Sequence, residues 1–347
     1  MKWSWYDMVK PLIAITVGDP CGIGPEITAK ALAIPEIYDL CRPLAIADAG
    51  LMGEAIKIAG VNLSVRAVTS PGEGRYEYGT IDVLDMQNVD LNQLQYGKVT
   101  RMGGEASFQY ITRAIELALA GEVDAVTTGP INKEAINLAG HHYSGHTEIF
   151  ADLTKTQDYC MMLVDKNFRV SHVTTHVAFS QVPSLIKKER VLTVIKLTND
   201  ALLKMGISMP RIAVAGLNPH AGEDGLFGRE EIEEISPAIA AAREQGIQVD
   251  GPVPPDTIFV KLQGGQYDAV VAMYHDQGHI PTKIIGFKYD NATGKWGSVA
   301  GINITLGLPI IRTSVDHGTA FGKAGKGTAN PESMVDALKM GAIMTRT

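Results

Sequence analysis

Short apolar runs alternate with amphipathic stretches along almost the whole chain. Leu12 to Val17, Arg42 to Asp48, Val123 to Thr127, Val170 to Thr174, Arg211 to Gly216 and Ala269 to Met273 are β-rich and mostly apolar, the pattern of short buried strands. Between them, apolar residues recur at helical spacing. Gly103 opens one such segment, with Phe108, Ile111, Ile115, Ala118 and Leu119 on one side and a stop at Gly121. Another runs from Leu185 to Met205 and stops at Gly206. Helices are also predicted over 27–33 (entered at Pro25), 51–60, 149–154 (capped by Ser144 or Thr147), 229–243 and 332–344. Residues 64–89 alternate weakly and read as strands and loops. Lys288 to Ala300 reads as a surface hairpin or loop, and Gly301 to Arg312 as one buried β run ending in a cation. Strand–helix alternation of this kind implies parallel βαβ packing.

A chain of 347 residues can hold two ordinary domains. Its 45% hydrophobic and 20% charged content is that of a soluble globular enzyme, with no apolar run long enough to span a membrane. Net charge is −7 with no basic block, which argues against nucleic acid as a partner. Cys21, Cys41 and Cys160 are isolated, which fits a reducing cytoplasm. Met1 to Asp7 lacks the apolar core of a signal peptide.

The chemistry-bearing residues cluster just past the strands. In open α/β sheets, ligands sit outside the carboxyl ends of the strands. Ala269–Met273 ends in a polar turn carrying His275, Asp276, His279 and, after Pro281, Lys283. His176 follows Val170–Thr174, and Asn218-Pro219-His220 follows the strand ending at Gly216. Each histidine alone reads as an ordinary loop residue. Three with one grammar suit a catalytic divalent-metal site with an open position. Lys133 also lies past a strand, as an exposed loop lysine or a catalytic one. His146-Thr147 at a helix start is a plausible anion contact. Gly18 to Glu26 is a glycine-rich turn that could cradle a phosphate, but it is not a dinucleotide fingerprint. Asp256 either caps a helix or stands near the metal. Asp316 to Pro331 is a long loop of small residues.

Gly18–Glu26 and His317–Pro331 resemble the β-decarboxylating dehydrogenases that act on isocitrate and isopropylmalate, in which the second segment wraps the adenosine of NAD. Nearly the whole chain resembles the 4-hydroxythreonine-4-phosphate dehydrogenase (PdxA-type) family. The motifs are Thr16–Pro20, Gly145–Glu148, Thr175-His176, Gly216–Glu223, Tyr274–Gly278 and Arg312–Thr319. The resemblance implies two α/β/α domains with mostly parallel sheets and the active site in the cleft between them. The division expected is 1–130 plus 305–347 against 131–304.

The resemblance further implies one divalent metal on His176, His220 and His275 (zinc, with magnesium, manganese or cobalt open), and a homodimer sharing its sites, one ligand histidine coming from the partner. Substrate contacts are implied at His146, Thr147, Lys283, Asn303 and Arg312, and NAD contacts at Asp316, His317, Gly318, Thr319, Gly325 and Asn330. Asp256 and Lys133 are the candidates for proton transfer. Thr154 to Leu163 looks more like a paralogous branch acting on D-threonate or D-erythronate 4-phosphate, and Lys288–Ala300 lengthens a usually short link. The expected activity is oxidation and decarboxylation of a 4-phosphorylated four-carbon hydroxy acid. The alternatives are a metal-dependent hydrolase and an idle sugar-phosphate binder.

Overall fold

The computed structural model describes residues 9–291, 295–299 and 301–346. The terminal segment weighed above as a leader lies outside these, as do 292–294 and 300 of the expected surface hairpin. The chain divides into two compact units, residues up to 154 with 309–346, and residues 155–308.

The first unit opens with β1 (Leu12–Thr16), buried at every position, and α1 (Gly24–Leu32). It continues through α2 (Pro35–Leu40), β2 (Arg42–Ala47), α3 (Ala49–Ala59), β3 (Ser64–Val68), β4 (Thr80–Asp85), α4 (Arg101–Leu119), β5 (Ala125–Thr128), α5 (Lys133–Ala139) and α6 (His146–Leu153). Three helices start on side-chain caps that satisfy orphan amides. Asp48 accepts from Leu51 N at 3.0 Å, Thr100 from Gly103 N at 3.0 Å, and Asn132 from Ala135 N at 2.8 Å.

The second unit contains β6 (Cys160–Asp165), β7 (Phe168–His172), α7 (Val182–Leu185), α8 (Lys188–Lys204), β8 (Ile212–Ala215), α9 (Ser236–Glu244), β9 (Val249–Val253), α10 (Pro255–Gln263), β10 (Ala269–Ala272), α11 (His275–Gly286), β11 (Phe287–Asp290), β12 (Lys295–Val299) and β13 (Ile302–Leu306). The chain then returns to the first unit as β14 (Ile311–Val315) and α12 (Glu332–Met344). The first unit's strands run β3-β4-β2-β1-β5-β14, every pair parallel. The second unit's run β13-β6-β7-β10-β8-β9, parallel from β7 onward and antiparallel in the two pairs made by β6. The expected mostly parallel α/β architecture is therefore present.

Four expectations are corrected. The single β run over 301–312 is two strands. Gly307 turns the chain at φ +92°, and a Cβ there would stand 2.1 Å from the Asp158 carbonyl. The division falls after 154 rather than 130, because α5 packs on α4 and buries Ala135 and Ile136. The polar turn after β10 is a helix, α11. Its start is tied down by Gln277, whose Oε1 accepts from Met273 N at 2.6 Å and whose Nε2 donates to Gly216 O at 2.8 Å. Helix α6 begins at His146 behind Gly145, without a cap from Ser144 or Thr147. The expected surface hairpin is present as the antiparallel pair β11–β12.

Two glycines give opposite expectations. A Cβ on Gly104 of α4 would meet Ala135 O of α5 at 1.9 Å, whereas one on Gly53 of α3 would meet nothing within 4 Å. Gly104→Ala is expected to destabilise by about 1–3 kcal/mol or more, and Gly53→Ala to stabilise by about 0.5–1 kcal/mol. Thermal unfolding followed by circular dichroism checks both, and midpoints moving the same way would refute the packing assigned to α4 and α5.

Candidate active site

In the first unit, β5 and β14 lie side by side, with Arg312 aligned to Val126 and Thr313 to Thr127. Thr127 and Thr313 hydroxyls bridge at 2.9 Å, and Thr313 Oγ1 donates on to Ala337 O at 2.9 Å. The pairing carries Arg312 into the interior, where it is 2% exposed. Its Nη2 donates to Thr128 Oγ1 at 2.7 Å, and its guanidinium carbon lies 5.4 Å from the centre of the Phe150 ring. Burial lowers this guanidinium's pKa to about 9, against the opposing pull of Glu148. His146 opens α6, and its buried Nε2 has no hydrogen-bond partner. Burial first, and the Arg312 charge second, hold its pKa well below the ordinary imidazole value. Thr147 is half-buried, and Lys133 is exposed at the first position of α5. A Cβ on Gly145 would lie 3.4 Å from Glu148 Oε2 and 3.8 Å from Lys133 Cε. His146, Arg312, Glu148 and Lys133 thus surround the entry to α6. A desolvated cation beside a neutral imidazole is suited to an anionic group.

The glycine-rich turn after β1 is folded around Asp19, which is fully buried and accepts from Cys21 N at 2.8 Å. Burial raises its pKa to about 6. Ile23 N donates to Thr319 O at 3.1 Å, joining this turn to the loop after β14. In that loop Thr319 is buried, Asp316 and His317 are half-buried, and Gly318, Gly325 and Asn330 are exposed.

In the second unit the histidines form a row. His176, past the end of β7, and His275, at the start of α11, have ring centres 5.7 Å apart. His275 stacks on His279 at 3.6 Å, and His279 lies 4.8 Å from His172. His275 donates from Nδ1 to Asp276 Oδ1 at 2.7 Å, and His279 from Nδ1 to the His275 carbonyl at 2.9 Å. These bonds orient the two rings. His172 is fully buried at the end of β7 and donates from Nδ1 to Met161 O at 3.3 Å. Burial, then the neighbouring His279, lower its pKa to about 3, and burial with His275 lowers that of His279 to about 4.

His220 stands in a different setting. Residues His220 to Asp224 all have positive φ, five left-handed positions in succession, of which only Gly222 is a glycine. Left-handed backbone costs roughly 1–2 kcal/mol at each non-glycine position, so something must hold it. Buried Glu231, in a π-helical turn, accepts from Leu217 N and Asn218 N at 2.8 Å and from Asn218 Nδ2 at 2.9 Å. Among the described residues no three His, Cys, Asp or Glu side chains form a group able to hold a metal. Within one chain, then, His176 and His275 come together and His220 does not join them in a group of three.

Lys283 lies on α11 with its ammonium 4.9 Å from the Phe287 ring centre. Asn303 on β13 keeps a buried Oδ1 without a hydrogen-bond partner. Asp256 is exposed in the first turn of α10, behind Pro254, and caps nothing. Sequence reasoning did not single out His172, Glu148, Glu231 or Asp19 as site residues. A histidine inside a strand and an acid inside a charged helix give no local signal. The Gly145–Glu148 turn did carry one for Glu148.

Parallel α/β units with cations and imidazoles at their strand ends define an α/β enzyme. The sequence matches the family described as pyridoxal phosphate biosynthetic protein PdxA over residues 39–341, and the chain belongs to that family. A "Putative D-threonate 4-phosphate dehydrogenase" of Symbiobacterium thermophilum is 49% identical over 333 residues, 96% of each chain. A 4-hydroxythreonine-4-phosphate dehydrogenase of Desulforapulum autotrophicum is 47% identical over 335 residues, covering 96% of this chain and 95% of that one. The crystal structure of the Klebsiella pneumoniae protein named 4-hydroxythreonine-4-phosphate dehydrogenase matches with a TM-score of 0.85 at 43% identity, covering 98% of this chain and all of that one.

The buried imidazoles dictate a pH response. A folded pKa below the unfolded value of about 6.5 contributes stability that is present above that pH and lost as pH falls toward the folded values, about 3 for His172 and about 4 for His279. The urea midpoint of chelator-treated protein is expected to fall between about pH 6.5 and about pH 4, and His172→Gln to flatten that fall. Tryptophan fluorescence at a series of pH values checks it, and parallel curves for the two proteins would contradict it.

Proposed function

We propose that the protein is an NAD-dependent, divalent-metal-assisted dehydrogenase that oxidises and decarboxylates a four-carbon hydroxy acid phosphorylated at C4. D-threonate 4-phosphate, D-erythronate 4-phosphate and 4-phosphooxy-threonine are the candidate substrates. The observation that carries the reading is the buried Arg312 guanidinium beside the His146 turn, in a chain of this family. The relatives above are named as dehydrogenases, and they lend the hydrolase alternative no support.

Lys283, Arg312, Asn303, His146 and Thr147 hold the phosphate and carboxylate. Arg312 is pre-oriented by Thr128 and Phe150, and loses little freedom on binding. Asn303 can donate to the anion from its amide nitrogen while its unpartnered Oδ1 accepts from a substrate hydroxyl, and His146 brings a neutral ring nitrogen. Lys133 and Asp256 are the candidates for moving the proton.

The donor set fits a divalent metal. His275 has its Nδ1 committed to Asp276, which directs Nε2 outward, and His176 is adjacent. His220 of a second copy completes a three-imidazole set, for which zinc is the best match, with magnesium, manganese or cobalt as alternatives. Bound there, the metal supplies Lewis acidity that eases loss of a hydroxyl proton and stabilises charge gathering on oxygen as CO2 departs. NAD fits the loop after β14, where Gly318 and Gly322 have nothing within 4 Å of a would-be Cβ. Asp316, His317, Gly318, Thr319, Gly325 and Asn330 line that segment.

A homodimer is supported by exposed apolar side chains on the histidine-bearing segments, among them Val177, Phe179, Leu226, Phe227, Ile280 and Ile284. The free, buried state of Cys21, Cys41 and Cys160 accords with the cytoplasm. Among the described residues no helix is long and apolar enough to cross a membrane.

Two outcomes test this reading. Purified protein given NAD and each candidate substrate should gain absorbance at the reduced-nicotinamide band, and a chelator should abolish the gain. No gain with any of the three would end the proposal. Inactive His220→Ala and His275→Ala proteins, unfolded and refolded together, should recover activity through mixed dimers. Mixtures as inactive as the separate variants would exclude a ligand supplied by the partner.

A further inference from the structure

The loop after β14 is poorly equipped to order itself. His317 to Pro331 contains four glycines, and of its residues only Thr319, Ala324 and Ala329 are buried. Beyond one short internal turn at Phe321–Lys323, part of its shape is imposed from outside by two residues of α1. Glu26 is 3% exposed, and its Oε1 accepts from Ala329 N at 2.7 Å and from Lys30 Nζ at 2.8 Å. Lys30 Nζ also donates to Gly327 O at 2.9 Å and to Ala329 O at 2.8 Å. All three ammonium protons are thereby engaged. The pair ties α1 to backbone some 300 residues later, at the point where Gly327 has φ +67°.

At the other end of the loop, Ile23 N donates to Thr319 O at 3.1 Å, and a Cβ on Gly22 would lie 3.0 Å from the Thr319 side chain. In its middle, a Cβ on Gly325 would stand 3.0 Å from the Tyr96 ring. Of these fastenings only the Glu26–Lys30 knot is a charged one. An exposed pair of this type would contribute little. This one is largely shielded, with side-chain exposures of 3% and 17%, and three of its four bonds go to backbone that cannot rearrange without moving the loop.

We infer that Glu26 and Lys30 are positioning residues for the dinucleotide: they hold the loop in its binding shape before NAD arrives. The inference rests on the assignment of this loop to NAD under Proposed function. Without the knot, each binding event must order a glycine-rich segment, and affinity drops by that cost while the chemical step is untouched.

Lys30→Met removes the donors, Lys30→Arg keeps the charge but cannot place three protons on the same acceptors, and Arg113→Met, in an exposed pair with Glu116, is the control. Calorimetric titration of NAD without substrate should give a roughly tenfold to hundredfold weaker dissociation constant for Lys30→Met, a smaller loss for Lys30→Arg and no change for the control. The turnover number at saturating NAD and the KM for the phosphorylated acid should stay within about twofold of wild type. In protein without ligand, trypsin should cut faster after the exposed Lys323 and Lys326.

NAD affinity within about twofold of wild type for both Lys30 variants would overturn the inference. So would equal losses for NAD and for the acid, the mark of general loosening. If Lys30→Met does not fold, Lys30→Arg decides by the same comparison. Wild-type protein that binds neither NAD nor NADP would sink the parent reading and this one with it. Wild-type binding that Lys30 variants leave untouched would sink this one alone.

Discussion

A guanidinium removed from water is a costly group to bury in the first unit, and the surrounding structure is arranged to tolerate it. An isolated buried charge costs many kcal/mol unless neighbours replace its hydration. Arg312 has a hydroxyl from β5, and an aromatic face and a nearby carboxylate that both come from α6. The threonine bridge between β5 and β14 keeps the strands in the register that presents it. Stability alone does not select such a residue, since an apolar side chain would fill the space at lower cost. A buried cation is worth keeping where something anionic must be gripped.

In the second unit the governing constraint is the reverse, imidazoles kept neutral. The row runs from His172 through His279 to His275 and His176, and its inner two rings, His172 and His279, are the ones shielded from solvent. Burial of His172 and His279 makes protonation unfavourable across the ordinary histidine range. Neutral rings are the form that can donate a lone pair to a cation. The row also couples α11 to β7. His279 bonds to the carbonyl of His275 and leans on His172, so the orientation of the outer ring depends on two residues that face inward.

Much of this was readable before any coordinates. Strands with continuous apolar runs, such as Leu12–Val17 and Ala269–Met273, were visible because burial on both faces leaves no polar alternation. The final helix was found to the residue, since Pro331 and the spacing from Glu332 to Met344 leave little freedom. The nearness of His176 and His275 followed from their shared position past adjacent parallel strands. What stayed hidden depended on long-range contact. Gly307 divides one apolar run into two strands because its conformation is set against Asp158, more than a hundred residues earlier. Helix α11 forms through a segment that reads as a turn because Gln277 finds partners just past the ends of β8 and β10. His172 looked like any strand residue. The five left-handed positions at His220 follow directly on Leu217 and Asn218, which are held by Glu231, whose acidic stretch reads as a solvated face although that residue is buried.

The contact between His172 and α11 has one more consequence. A Cβ at Gly278 would stand 2.3 Å from His172 Nε2, so that helix position has no room for any other side chain while the imidazole is present. The two sites are thus locked in evolutionary tandem. Val170 Cγ1 would stand 2.7 Å away as well, so a lineage can enlarge position 278 only after both 172 and 170 give way, and drift along this face of α11 must pass through coupled changes rather than a series of single ones.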